Sequence, residues 1–225
     1  GFDSIEADLS TRPEKSIGNN DDWEKATNSL KSALENQNIS YVTAHGEGAF
    51  YGPKIDLHVK DAIGRRWQLS TIQVDFAQPD NFDLQFVDSN NKRVKPVMIH
   101  RALLGSIERF TGILIENYAG EFPGWLSPVQ VKVLTIGDVS NYLNKITKSL
   151  KGFRYEVDDR NLRLGEKLHD ASKDKIPITL IVGEKDELSN TLAINIRSQD
   201  NQQNVKYEDA IKQIKANLKT PIFKI

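Results

Sequence analysis

The chain has 225 residues, 38% of them hydrophobic, and carries 30 Lys+Arg against 31 Asp+Glu for a net charge of -1. That balance excludes a globally basic nucleic-acid footprint, and no run of five or more Lys/Arg advertises a local one. The lack of cysteine excludes disulfides and cysteine-held zinc within this chain, and no apolar stretch approaches the ~20 residues of a membrane-spanning helix. The length allows one large domain or two of ordinary size. The opening GFDSIEADLSTRPEK is neither a signal peptide nor an Arg-rich transit peptide. The cytosol is therefore the expected compartment, and the abrupt start, as if in mid-strand, predicts a fragment or a processed chain.

In chain order, residues 21–37 place Trp23, Ala26, Leu30, Ala33 and Leu34 on one helical face, with Asp21 and Asp22 at the end the helix dipole favours. The period then changes to two. Residues 54–61, 66–76, 82–88 and 95–100 alternate or run apolar between the turn signals DAIGR, QPDN and DSNNKR, which predicts a four-stranded antiparallel meander. A helix over 106–119 follows, with Ile107, Phe110, Leu114 and Tyr118 on one stripe and a stop at Ala119-Gly120. After GEFPGWLSP (120–128) the pattern becomes strand 129–136, helix 138–151, strand 153–159, helix 164–173, strands 176–183 and 190–197, and helix 207–218. Such alternation marks a small α/β sheet covered by helices, with 200–204 as an exposed loop. The expected domains are 1–127 and 128–225.

The stretch PVMIHRALLGSIERF (96–110) sets His100, Arg101, Ser106 and Arg109 into an apolar run. Arg109, in the first turn of a helix, is either a surface arginine paired with Glu108 or Glu116, or a cationic fork for phosphate oxygens supported by the helix's free N–H groups. Ser106 has the character of an N-cap. Arg101 should point to the face opposite His100, and His100 itself reads as a buried histidine bonded to the backbone or as a ligand. GEGAFYGPK (46–54) is glycine-rich without P-loop spacing and reads as a turn before a strand. His45, His58 and His169 share no ligand spacing and read as ordinary polar positions.

Several of these words occur together in one family. LSTRPEKSIG (9–18), GEGAFYGPKID (46–56), WQLSTIQVDF (67–76), PVMIHRALLGSIERF and FPGWLSPVQV (122–131) resemble the threonyl-tRNA synthetase family of class II aminoacyl-tRNA synthetases. VDDRNLRLGEKL (157–168) and IPITLIVGEKD (176–186) look like its anticodon-binding domain, so the resemblance runs from Leu9 to about Ile214. It implies an α+β class II catalytic domain, an antiparallel sheet with helices, present only in its C-terminal part with the third signature motif. An α/β anticodon-binding domain with a mixed sheet follows. Nothing matches the first two motifs.

The implied activity is a threonine–tRNA ligase. It makes threonyl-adenylate from threonine and ATP with Mg2+ and charges threonine tRNA, in a homodimeric, cytoplasmic enzyme with no membrane partner. This chain alone is expected to be inactive; the alternative is a non-catalytic tRNA-binding fragment or paralogue. By resemblance Arg109 and Lys54 are catalytic, and Gln68, Thr71, Ser106 and Arg109 hold ATP or the adenylate. Tyr51 and Gln73 then line the threonine pocket. His100 matches the last of three zinc ligands, one Cys and two His; the other two are missing, so the chain is expected to be metal-free or weakly metal-binding. Gln68, Thr71 and Gln73 cannot share one face of a regular strand, which requires a bulge or bend near Ser70, where most relatives have glycine. Asn161, Arg163 and Asp186 match anticodon contacts. His169 and Asn195 stand where relatives commonly have arginine, with Lys167 or Arg197 as the nearby substitutes.

Overall fold

A computed structural model describes Phe2 and residues 5–221. The chain divides into two compact units, Gly1–Asn117 and Tyr118–Ile225.

The first unit contains β1 (Ile5–Ser10), α1 (Asn20–Asn36), β2 (Tyr41–Ala44), β3 (Lys54–Lys60), β4 (Arg66–Asp75), α2 (Gln78–Asn81), β5 (Phe86–Val87), β6 (Arg93–Val94), β7 (Met98–Ala102) and α3 (Ile107–Asn117). Its five-stranded sheet has the order β2-β1-β3-β4-β7, with β1 and β2 parallel and the other neighbours antiparallel. The expected antiparallel succession holds for β3, β4 and β7. The strand expected at 82–88 does not join them: Phe86–Val87 pairs with Arg93–Val94 in a hairpin of its own. The cause lies just upstream, where Asp75 accepts the N–H groups of Ala77 and Gln78 and Pro79 opens α2, so the chain leaves the sheet after β4.

β2 was not legible as a strand, and β1 only through the mid-strand look of the opening residues. β1 carries Glu6 and Asp8, poor strand formers, but Lys60 and Arg66 pair with Glu6, and Arg66 also pairs with Asp8. α1 begins one residue ahead of its expected start, because Asn19 caps it by accepting the N–H of Asp22. One face of the sheet buries Ala7, Leu9, Ile55 and Val74 against Leu30 and Leu34 of α1, and a second cluster joins Val59, Leu69 and Ile113.

The second unit contains β8 (Val131–Ile136), α4 (Ser140–Ser149), β9 (Tyr155–Asp158), α5 (Leu164–Lys173), β10 (Ile178–Gly183), α6 (Glu184–Ser189), β11 (Thr191–Ile196), β12 (Gln202–Lys206) and α7 (Tyr207–Asn217). The sheet order is β12-β11-β10-β8-β9; β9, β8 and β10 run parallel and β11 and β12 antiparallel, the mixed sheet that was expected. The expected loop at 200–204 is a correction, since most of it is the polar edge strand β12. Its backbone pairs with β11 in spite of a composition typical of loops. The segment 120–127, expected in the first domain, falls with the second unit. Arg197 donates to the carbonyls of Glu121 and Phe122, Arg154 to those of Trp125 and Ser127, and Gln130 to that of Gly124. Among the described residues no helix is long and apolar enough to cross a membrane.

Candidate functional site

The face of the first sheet opposite α1 is polar, and one irregularity creates it. β4 pairs with β3 as Gln73↔Lys54, Thr71↔Asp56 and Ser70↔Leu57, then shifts so that His58 faces Gln68, leaving Leu69 as an extra residue. This is the bulge that the side-chain count demanded, displaced by one residue from Ser70. It reverses the parity of β4, so Gln68, Thr71 and Gln73 all emerge on the face that carries Lys54, Asp56 and His58. β7 continues the face, pairing His100 with Gln73 and Ala102 with Thr71, while Arg101 pairs with Ile72 on the other side as expected.

The result is a cleft of about 480 Å³ lined by Glu47, Ala49, Lys54, Gln68, Thr71, Gln73 and His100, with Gly48 and Ala102 completing the wall. Five residues named from sequence therefore meet here. Tyr51 joins them through its hydroxyl, 3.3 Å from Gln73 Oε1. Gly52 lets the 46–54 turn lie against β4: a Cβ there would fall 1.9 Å from the carbonyl oxygen of Val74.

Two buried carboxylates under the cleft were missed by sequence reasoning. Asp56, 5% exposed, accepts from Lys54 Nζ at 2.7 Å, Gln68 Nε2 at 2.6 Å and Thr71 Oγ1 at 2.6 Å. Asp75, 3% exposed, lies 2.7 Å from His100 Nε2. Burial raises the Asp75 carboxyl, but the N–H of Gln78, His100 and the N–H of Ala77 together hold it below the ordinary carboxylate range. The available signal was parity: Asp56 falls in the polar phase of KIDLHVK two residues from Lys54, and Asp75 lies two residues from Gln73. Among the described residues no three His, Cys, Asp or Glu side chains come together as a metal cage. His100 and its neighbours therefore do not by themselves fit a zinc ion. His58, read as an ordinary polar position, keeps its buried Nδ1 without a hydrogen-bond partner, 3.7 Å from Asp8.

The β7–α3 junction turns at Gly105, whose φ of +65° and approach to the carbonyl of Leu69 both exclude a side chain. Ser106 Oγ then accepts the N–H of Arg109 at 3.2 Å, the helix cap anticipated for it, and donates to Glu108 at 2.7 Å. That bond lowers the Glu108 carboxyl. The reading of Arg109 as the partner of Glu108 or Glu116 is corrected, because Glu108 bonds Ser106 and Glu116 pairs with Arg65. Arg109 instead reaches the Gln68 carbonyl at 3.3 Å and lies over the Trp67 ring at 5.7 Å. It stands outside the cleft lining, yet is tied to the strand that carries Gln68.

In the second unit the three named residues are not gathered into one cleft. Asn161 lines one of about 510 Å³ at the carboxyl ends of β8 and β9, with Gly137, Asp138, Ser140, Arg160 and Lys167. Arg163 is the exposed N-cap position of α5, its N–H bonded to Glu166. Asp186 accepts the Gly183 N–H at 3.0 Å and the Thr191 hydroxyl at 3.3 Å, which caps the start of α6. The suggested substitute cations are a correction. Lys167 is 2% exposed and donates to the carbonyls of Thr135 and Asp158, and Arg197 is engaged by those of Lys175, Glu121 and Phe122. The cleft of about 220 Å³ that holds Asn195 is lined by Arg197 and also by Lys175, a cation sequence reasoning did not select.

Residues 1–118 match the family described as tRNA synthetase class II core domain (G, H, P, S and T). The chain belongs to this class II tRNA synthetase family. In this synthetase chain, residues 130–217 match the family described as anticodon binding domain, and these fall within the second unit. The threonine–tRNA ligase of Clostridium tetani is 52% identical over 202 residues, 88% of this chain and 32% of that protein. The ligase of Clostridium acetobutylicum is 46% identical over 221 residues, 97% of this chain and 35% of that protein. The chain thus spans about a third of the length of these relatives. In structure it resembles the RNA-binding domain of threonyl-tRNA synthetase from Cryptosporidium parvum Iowa II, with a TM-score of 0.86 and 32% identity over 95% of this chain and 55% of that one.

Proposed function

We propose that this chain works as part of a threonine–tRNA ligase, its first unit contributing the C-terminal half of the activation site and its second unit reading the anticodon of threonine tRNA. The observation that carries this reading is the convergence of Lys54, Gln68, Thr71, Gln73 and His100 on one cleft above a bulge that no simple strand would need. The identity to threonine–tRNA ligases supports the choice of amino acid.

Activation joins the threonine carboxylate to the α-phosphate of ATP and releases pyrophosphate, so the protein's task is to align two anionic groups and stabilise charge on phosphate. Lys54 offers ammonium N–H donors at the cleft wall, suited to the carboxylate and the phosphate. Arg109 offers a fork for the outer phosphates, aided by the first-turn N–H groups of α3. Gln68, Thr71 and Ser106 present polar atoms for the rest of the adenylate, and the Tyr51–Gln73 pair forms the wall for threonine. Magnesium would accompany ATP as its counter-ion.

Zinc, when bound with ligands from other segments, would supply a Lewis-acid contact that separates threonine from valine. His100 is the residue this chain would lend it, and Asp75 fixes the orientation of that ring. In the second unit Asn161, Arg163 and Asp186 are the polar groups assigned to unstacked anticodon bases. Assembly as a homodimer in the cytoplasm completes the reading.

Threonine-dependent ATP–pyrophosphate exchange by the full polypeptide containing this chain tests it. Exchange with threonine and far less with valine is expected. Exchange driven by a different amino acid, or none at all, would overturn the assignment. The 225-residue chain alone is expected to give no exchange.

A further inference from the structure

Resting on that reading, we infer that Asp56 is a positioning residue: it decides which atoms of Lys54, Gln68 and Thr71 are presented to the ligand. An ionised carboxylate only accepts hydrogen bonds, and this one is buried between β1, β3 and β4, paired in register with Thr71 on one side and Asp8 on the other. Every side chain that touches it must turn a donor inward.

Gln68 therefore directs its amide nitrogen inward, Nε2 lying 2.6 Å from Asp56 and 3.1 Å from Thr71 Oγ1, and turns its carbonyl oxygen outward. The Thr71 hydroxyl donates to Asp56 at 2.6 Å, so towards the cleft it can only accept. Lys54 gives Asp56 one of its three N–H groups at 2.7 Å and keeps two for a ligand. The cleft consequently has fixed polarity, with acceptors at Gln68 and Thr71 and donors at Lys54. Acceptors suit ribose hydroxyls or an ammonium group; donors suit a carboxylate or phosphate. One carboxylate beneath the cleft thus encodes the orientation of a ligand that is cationic or hydroxylic at one end and anionic at the other, which is the character of an aminoacyl-adenylate. Asn at this position would keep the shape but could donate to Gln68 and Thr71, allowing both to turn over.

The test uses the full polypeptide, with exchange by the unmodified protein as reference; absence of that exchange would refute the ligase reading and is scored separately. Asp56→Asn is expected to melt near the reference temperature and to lose about 100-fold in kcat/KM. In a Gln68→Ala, Thr71→Val background the same substitution should cost about tenfold or less, because the groups it would turn over are already gone. Activity of Asp56→Asn within about threefold of the reference, or the full factor recurring in the Gln68→Ala, Thr71→Val background, overturns the inference. If Asp56→Asn fails to fold, Thr71→Val carries the test. A loss of at least about tenfold is expected from it, and activity within threefold of the reference counts against the inference.

Discussion

The two sheets of this chain are both five-stranded, yet they treat their charged side chains in opposite ways. In the first, β3 and β4 bury one face on α1 and leave the other to polar groups whose hydrogen-bonding capacity is only partly used: two N–H groups of Lys54, the carbonyl oxygen of Gln68, a lone pair of Thr71. In the second, the central strands β8 and β10 are buried along nearly their whole length, and several charged groups beside them satisfy backbone, while Lys132 of β8 pairs with Glu156 and Asp174. Lys167 holds the carbonyls of Thr135 and Asp158, Arg197 those of Lys175, Glu121 and Phe122, and Arg154 those of Trp125 and Ser127. A buried charge by itself therefore says little about function. What distinguishes a binding group is capacity left over after the fold has taken its share.

The comparison is sharpened most strongly by Lys167→Ala. It strands two buried carbonyls and opens a cavity, and should lower the stability of the second unit by about 3 kcal/mol in urea unfolding. Pyrophosphate exchange, which needs no tRNA, should be unchanged below the melting transition. A smaller effect, on binding rather than stability, is expected at Gln73→Ala: the threonine KM should rise about tenfold in exchange kinetics. Ser106→Ala removes the cap of α3 and should reduce stability by about 1 kcal/mol, read from the thermal transition of the first unit.

The smallest effect is a pH dependence at Asp158. The Arg160 guanidinium, together with the Arg160 N–H and the Lys167 charge, holds this carboxyl at about 2 despite its burial. A lowered folded value means stability that is present above the ordinary carboxylate value of about 4 and lost as pH falls through the folded value. The stability gap between the native chain and Asp158→Asn should therefore narrow between about pH 4 and pH 2 in acid titrations. A constant gap across that range would remove this ion pair from the account.

Much of the first unit was legible because its signals are local. Period-two alternation marked β3, β4 and β7, and the wrong parity of Gln68 against Thr71 and Gln73 pointed to a bulge. The helical periodicity of 106–119 marked α3, although its buried residue is Ile113 and Ile107 of the expected stripe is exposed. What could not be read was set by distant partners. The opening looked strand-like, but the place of Glu6 and Asp8 in it is set by Lys60 and Arg66 across from them, and β12 pairs along the edge that β11 offers. Asp56 and Asp75 escaped notice for a related reason: a carboxylate in a strand is unremarkable until three donors converge on it. Lys167 and Arg197 failed as candidate RNA-facing cations because sequence gives charge but not burial.

The central claim is that the polar face of the first sheet, completed by α3, acts on the phosphates of a bound nucleotide. Arg109→Ala tests it most directly, because the side chain is exposed and holds little of the fold: one bond to the Gln68 carbonyl and a contact with Trp67. Measured in the full polypeptide, threonine-dependent pyrophosphate exchange should fall by about 1000-fold. The melting transition should stay within about 1 kcal/mol of the unmodified protein. Exchange within a few-fold of the unmodified protein would contradict the claim.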